Sequence, residues 1–213
     1  MPDNVESDIF DDADLLSVLE LDHRPDGGAG RLTLGHPALV HQGIKRSLDR
    51  VWADVRNCVI DFRHAHPQAE ICFTGHSLGA ALAVLASSRF ADNNISLYTY
   101  GCPRVGNQEF LDRLFADPRK KVFRFVDLND SVAHVPPEGP FYRHGPRGCL
   151  RFDENGNLDE NDDGSFRGDV AALATEFSRF TVDLSLDLAK IQAQPGLVDH
   201  SAARYCIRLW NLL

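Results

Sequence analysis

Ile71-Cys72-Phe73-Thr74-Gly75-His76-Ser77-Leu78-Gly79-Ala80-Ala81 is the stretch whose reading decides the fold. The run from Ala69 to Thr74 is short and apolar and suits a buried strand. From Ser77 to Phe90 alanine and leucine dominate without a proline, which predicts a helix. Between them stands Gly75-x-Ser77-x-Gly79. A serine in a tight, strained strand-to-helix turn holds its hydroxyl clear above a sheet edge, and the flanking glycines let strand and helix approach where a β-carbon would collide. The turn also places Ser77 at a helix N-terminus, where the backbone N–H of Leu78 and the helix dipole can stabilise a negative oxygen. With glycine and serine near roughly 7% each, the pattern arises by chance in roughly one chain of this length in fifteen. Its weight therefore comes from the strand before it and the helix after it. The competing reading is a glycine-rich turn with a capping serine.

Working outward, Ala38 to His66 carries a helical pattern, with Val40, Ile44, Leu48, Val51, Val55, Val59 and Phe62 three or four residues apart, and Pro67 ends it. Ile95 to Tyr100 and Lys121 to Val126 read as strands, with a helix from Gln108 to Phe115 between them. This strand–helix alternation predicts a mainly parallel central sheet with helices on both faces. Tyr142 to Phe152 reads as a late strand or hairpin arm and Asp153 to Gly168 as a polar loop. Val170 to Ala193 and His200 to Leu212 read as helices. A short amphipathic helix is expected around Ile9 to Leu19. No internal repeat is visible, and 213 residues suit one domain.

A serine hydroxyl needs a base to take its proton, and neutral histidine suits that task when a carboxylate fixes its tautomer. Where the serine stands at such an elbow, the acid follows a later strand and the histidine lies near the C-terminus. Only His134, His144 and His200 follow Ser77. His200 sits at a loop-to-helix junction and is the preferred base, with His144 next. Asp127 and Asp130 both follow the strand Lys121 to Val126, and the residues alone do not separate them.

Four stretches together resemble the class 3 lipases, an α/β-hydrolase family. Val40-His41-Gln42-Gly43-Ile44 looks like that family's V-H-x-G-F. Thr74 to Ala83 is similar to its nucleophile segment, Tyr100-Gly101-Cys102-Pro103-Arg104-Val105-Gly106-Asn107 to its G-x-P-R-V-G-N, and Asn129 to Pro137 to its D-x-V-P-H-L-P-P. The resemblance covers roughly residues 38 to 145, with Asp199-His200 and Tyr205 loosely matching D-H-x-x-Y. It implies an α/β-hydrolase fold, Ser77 as nucleophile, Asp130 as catalytic acid, His200 as base, Leu78 as an oxyanion N–H and a structural role for His134. It also implies a lipid or small ester substrate, met at a lipid–water interface, with no cofactor or metal. The alternatives are a phospholipase A1 or aryl-ester hydrolase, or a lipid-binding relative without turnover. Family members carry R-G-[ST], the second oxyanion donor, about seventy residues before the nucleophile. This chain starts near that point, so an N-terminally shortened chain is expected, with residues 1–20 as the lid region.

Composition limits the other classes. A net charge of −9, concentrated in Asp3 to Asp14 and Asp153 to Asp169, argues against nucleic acid. No apolar stretch approaches the roughly 20 residues of a membrane helix. The first residues lack a secretory signal pattern, which suits a cytoplasmic location unless a native leader precedes them. Five scattered cysteines form no CxxC pair, and Cys58 and Cys72 read as buried free thiols. Asp159 to Gly164 copies half of a calcium loop, but Val170 stands where the bidentate glutamate belongs, so an acidic turn is expected.

Overall fold

In the computed structural model, residues 18–20, 37–90, 94–116, 120–145, 149–162, 164–165 and 196–212 are described. Five strands form the central sheet in the order β3-β4-β5-β6-β7. They are Ile71–His76 (β3), Ile95–Tyr100 (β4), Lys121–Asp127 (β5), Cys149–Phe152 (β6) and Leu158–Asp159 (β7). The first four run parallel, and β7 turns back antiparallel on β6. A separate antiparallel pair joins Val18–Glu20 (β1) to Leu39–His41 (β2).

Alternation along the strands sorts two apolar layers onto opposite faces of the sheet. On one side, Leu97 packs with Ile44 and Leu48 of α1 (Gln42–Ala65), with Val84 and Leu85 of α2 (Leu78–Ser88), and with Phe110 and Leu114 of α3 (Gln108–Leu114). On the other, Tyr98, Tyr100, Phe123, Phe125 and Phe152 gather around Tyr205 of α4 (Ala202–Trp210). The expected mainly parallel sheet with helices on both faces is what forms. Among the described residues no helix is long and apolar enough to cross a membrane.

Several boundaries differ from the sequence reading. The helix expected from Ala38 begins at Gln42, because Leu39–His41 is a strand. Val40 lies four residues before Ile44 and so fitted a helical stripe, but His41 breaks in as N-cap, its ring nitrogen accepting from the Gly43 and Ile44 amides. The far half of the stripe is not core, since Val51 and Phe62 are both nearly half exposed. Cys58 and Cys72 face solvent, which overturns their reading as buried thiols: Cys72 lies on the outward side of β3 and Cys58 on the uncovered part of α1. The polar loop expected over Asp153 to Gly168 contains β7, because the Asp153 carboxylate accepts the Asn155 and Asn157 amides and closes a hairpin turn.

Asp162, in the half-calcium-loop pattern, turns inward to the buried Arg151 guanidinium at 2.9 Å. Among the described residues no group of three potential metal ligands gathers. Of the helix expected around Ile9 to Leu19, Val18 and Leu19 lie in β1 and the rest is outside the described residues, as is most of the expected lid. The expected helix Val170 to Ala193 also lies outside them.

Candidate active site

Open parallel sheets bind ligands beyond the carboxyl ends of their strands, and the predicted site residues stand at that end. Ser77 follows the last residue of β3 with φ 57° and ψ −126°, a conformation that non-glycine residues rarely hold. Its N–H donates to the Tyr100 carbonyl at 3.0 Å, tying the elbow to β4. The turn is possible because Gly75 has no side chain: a β-carbon there would lie 2.3 Å from the Gly79 carbonyl carbon and 2.6 Å from the Ala80 nitrogen. Gly79 is different, since a β-carbon on it would meet nothing within 4 Å. The sequence reading gave both glycines the same steric duty, and only Gly75 has it. The bonds of α2 begin with the Ala80 and Ala81 amides, both donated to the Ser77 carbonyl, which leaves the Leu78 N–H outside the helix ladder.

Asp130 is fully buried just after β5, and four donor contacts reach its carboxylate. His200 Nδ1 lies 2.9 Å from Oδ2 and 3.0 Å from Oδ1, the Tyr205 hydroxyl donates to Oδ2 at 2.7 Å, and the Val132 amide donates to Oδ1 at 2.9 Å. A carboxylate surrounded by donors requires the proton of neutral His200 on Nδ1, which leaves Nε2 as the basic nitrogen. Gly101 passes under the pair with φ 57°, and a β-carbon there would press within 2.5 Å of Asp130 Oδ2 and 2.8 Å of His200 Nδ1.

Asp127, the rival acid, is equally buried but takes another partner set. Arg204 Nε donates to it at 2.8 Å and Arg208 Nε at 3.2 Å. Leu128, with φ 43°, turns the chain between the two aspartates. Tyr205 bridges them, accepting from the Asp127 amide at 2.9 Å while donating to Asp130. Burial, followed by the nearby Asp130 charge, pushes the Tyr205 phenol well above its usual value, so it stays a donor.

The other late histidines serve elsewhere. His144 Nε2 donates to the Ala133 carbonyl at 2.6 Å. His134 is buried, and its carbonyl accepts from Arg104. Burial first, then Arg104, Arg151 and Arg124, lower the His134 pKa to about 3.

Asp130 and His200 are thus brought together, and Ser77 stands at the same rim. Among the described residues Ser77 Oγ makes no hydrogen bond to His200. The link between β3 and His200 is one residue earlier: the His76 and His200 rings lie 4.5 Å apart, and His76 Nε2 is 2.7 Å from the His200 carbonyl oxygen. Sequence reasoning missed His76, Arg204 and Arg208, and it weighed Asp127 only as the rival to Asp130. A histidine beside the candidate nucleophile was a visible signal for the first. The arginines' spacing of four residues, one helical turn, was visible too, but nothing in it pointed at Asp127.

The profile described as "Lipase (class 3)" matches residues 18–139, more than half of the chain. A lipase of Rhizopus niveus is 36% identical over 115 residues, covering 50% of this chain and 29% of the relative. A secreted mono- and diacylglycerol lipase of Fusarium solani is 34% identical over 107 residues, covering 49% and 32%. The chain thus spans about a third of the length of these curated relatives. Among solved structures, a triacylglycerol lipase described as having a serine protease triad aligns with a TM-score of 0.53 at 27% identity, covering 67% of this chain and 52% of the other. Lipase II from Rhizopus niveus aligns with a TM-score of 0.50 at 32% identity, covering 57% and 48%.

Proposed function

The chain belongs to the class 3 lipase family, and from that premise we propose that it hydrolyses carboxylic esters of lipids through Ser77, His200 and Asp130. The observation that carries this reading is the Asp130–His200 hydrogen bond at the sheet end where Ser77 holds its strained turn. A histidine held by Nδ1 on a buried carboxylate keeps Nε2 for proton transfer, which is the task a serine nucleophile requires.

In the reaction we infer, His200 Nε2 takes the Ser77 proton as Oγ bonds to the ester carbonyl carbon. The carbonyl oxygen becomes an oxyanion facing the Leu78 N–H. Collapse breaks the bond to the alcohol, which leaves with the proton from His200. Water then attacks the acyl-serine with His200 again as base, and the acid departs as Ser77 regains its proton. The acylglycerol lipases among the relatives support a lipid ester as substrate. For location, five free thiols, three of them exposed, favour a reducing compartment, whereas two relatives are described as secreted. Fractionation of the source cells separates the two.

The test is a panel of chromogenic esters of graded acyl length with a phospholipid control, run beside covalent labelling by an organophosphonate. Label on Ser77, together with ester turnover, supports the reading. Absence of label in a folded sample overturns it.

A further inference from the structure

We propose that His76 is the positioning residue that fixes His200 relative to β3. The proposal rests on the serine-hydrolase reading above. His200 is presented by the turn formed by residues 196–201, and among the described residues the bonds of that turn run almost wholly to the β5 side of the molecule. The Ser131 amide donates to the Gly196 carbonyl, the Asn129 amide to Asp199 Oδ2, His200 meets Asp130, and Asp199 pairs with Arg204. Among the described residues one hydrogen bond joins the turn to β3, the strand that leads into Ser77, and it comes from His76.

Its chemistry is fixed by its acceptor. A carbonyl oxygen can only accept, so His76 Nε2 carries the proton. The two ring centroids lie 4.5 Å apart with 31° between their planes, and the Tyr205 ring meets His76 edge-on at 5.7 Å. Asp130 holds only Nδ1 of His200 and leaves the imidazole free to pivot about that contact. The His76 donor pins the backbone behind the imidazole, and the ring contact limits its tilt. Because His76 precedes Ser77 directly, the covalent chain then acts as a ruler between hydroxyl and base.

The groups facing His76 are His200 from the turn, Asp130 from the loop after β5, and Tyr205 from α4. Burial, then the neighbouring His200, lower the His76 pKa below its usual value. His76 therefore remains neutral at neutral pH, and no second cation meets His200 when it takes the Ser77 proton.

Three variants separate the donor from the ring: His76→Ala removes both, His76→Phe keeps a ring, and His76→Gln keeps an N–H. Steady-state hydrolysis of a water-soluble ester, the phosphonate labelling rate and long-range proton–nitrogen spectra of the His200 ring are read on the full chain. A misplaced base costs on the order of 10- to 100-fold, so H76A is expected to lose that much in kcat and labelling rate, with KM within about twofold. H76Q recovers most of it and H76F does not. In the spectra, the single Nδ1-protonated form of His200 broadens in H76A and sharpens again in H76Q. If H76A fails to fold, the H76Q and H76F pair decides. Unchanged kcat and unchanged His200 spectra in H76A or H76F overturn the proposal, as does a loss that H76Q leaves unrestored. If the unmodified chain takes no label, the hydrolase reading falls separately, and the His200 spectra alone decide the role of His76.

Discussion

Gly75→Ala and Gly79→Ala yield proteins of identical composition, yet they are expected to differ by about 1.5–4 kcal/mol in stability. At Gly75 the new carbon would sit 2.3 Å from the Gly79 carbonyl carbon, where ordinary contact begins near 3.4 Å, a shortfall of about 1.1 Å (3.4 − 2.3). The three nearest atoms are all backbone, so no side chain can rotate away, and β3 must separate from α2. Overpacking of this kind costs about 1–3 kcal/mol. At Gly79 the carbon meets nothing within 4 Å and lies inside the first turn of α2, where alanine is favoured over glycine by about 0.5–1 kcal/mol. Urea denaturation followed by circular dichroism gives both values by linear extrapolation. G75A should unfold at clearly lower urea, and G79A at or slightly above the parent midpoint. A G75A midpoint equal to the parent, or a G79A loss beyond about 1 kcal/mol, would refute the steric account of the elbow.

Tyr205→Phe strips a donor from Asp130 and orphans the buried Asp127 amide, so a stability loss of about 1–3 kcal/mol and a lower kcat are expected, read by denaturation and ester turnover. Acid should weaken the fold well before the carboxylates titrate. With its folded value lowered to about 3, His134 stays neutral while the unfolded chain gains a proton below its ordinary value. Stability therefore falls by about 1.4 kcal/mol per pH unit over that window. Denaturation at pH 7 and pH 4.5 should show it, with a shallower fall in His134→Gln; equal slopes would contradict this. Native thiol titration should find Cys58, Cys72 and Cys206 accessible. Cys102 and Cys149, whose values burial raises to about 12 and about 11, should react only after unfolding.

What could be read from the sequence was local in origin. The elbow announced itself because strand, turn and helix occupy consecutive residues, and β4, α3 and β5 follow the same logic to within a residue or so. β2 was hidden because Val40 suits either period. β6 was blurred because Arg151 stands where a parallel strand normally carries an apolar residue, and its partner Asp162 lies beyond the next hairpin. Asp127 and Asp130 could not be told apart because both end the same strand. The difference is tertiary: one faces the turn carrying His200, and the other faces the arginines of α4. The resemblance implied Asp130, and in the structure His200 Nδ1 lies against its carboxylate. His76 stayed unnoticed because its partner is 124 positions away.

The manner in which α4 is held bears on how this molecule would lose activity. Ile207 and Trp210 are 60% and 77% exposed, so the apolar anchorage of α4 rests on Tyr205 and Leu209. Two guanidinium groups and one phenol also moor it to a pair of aspartates. Free guanidinium ion is a direct chemical rival for those moorings, whereas urea, being uncharged, is not. The salt should therefore unseat His200 at concentrations that leave the sheet intact, so that inactivation comes first and unfolding second.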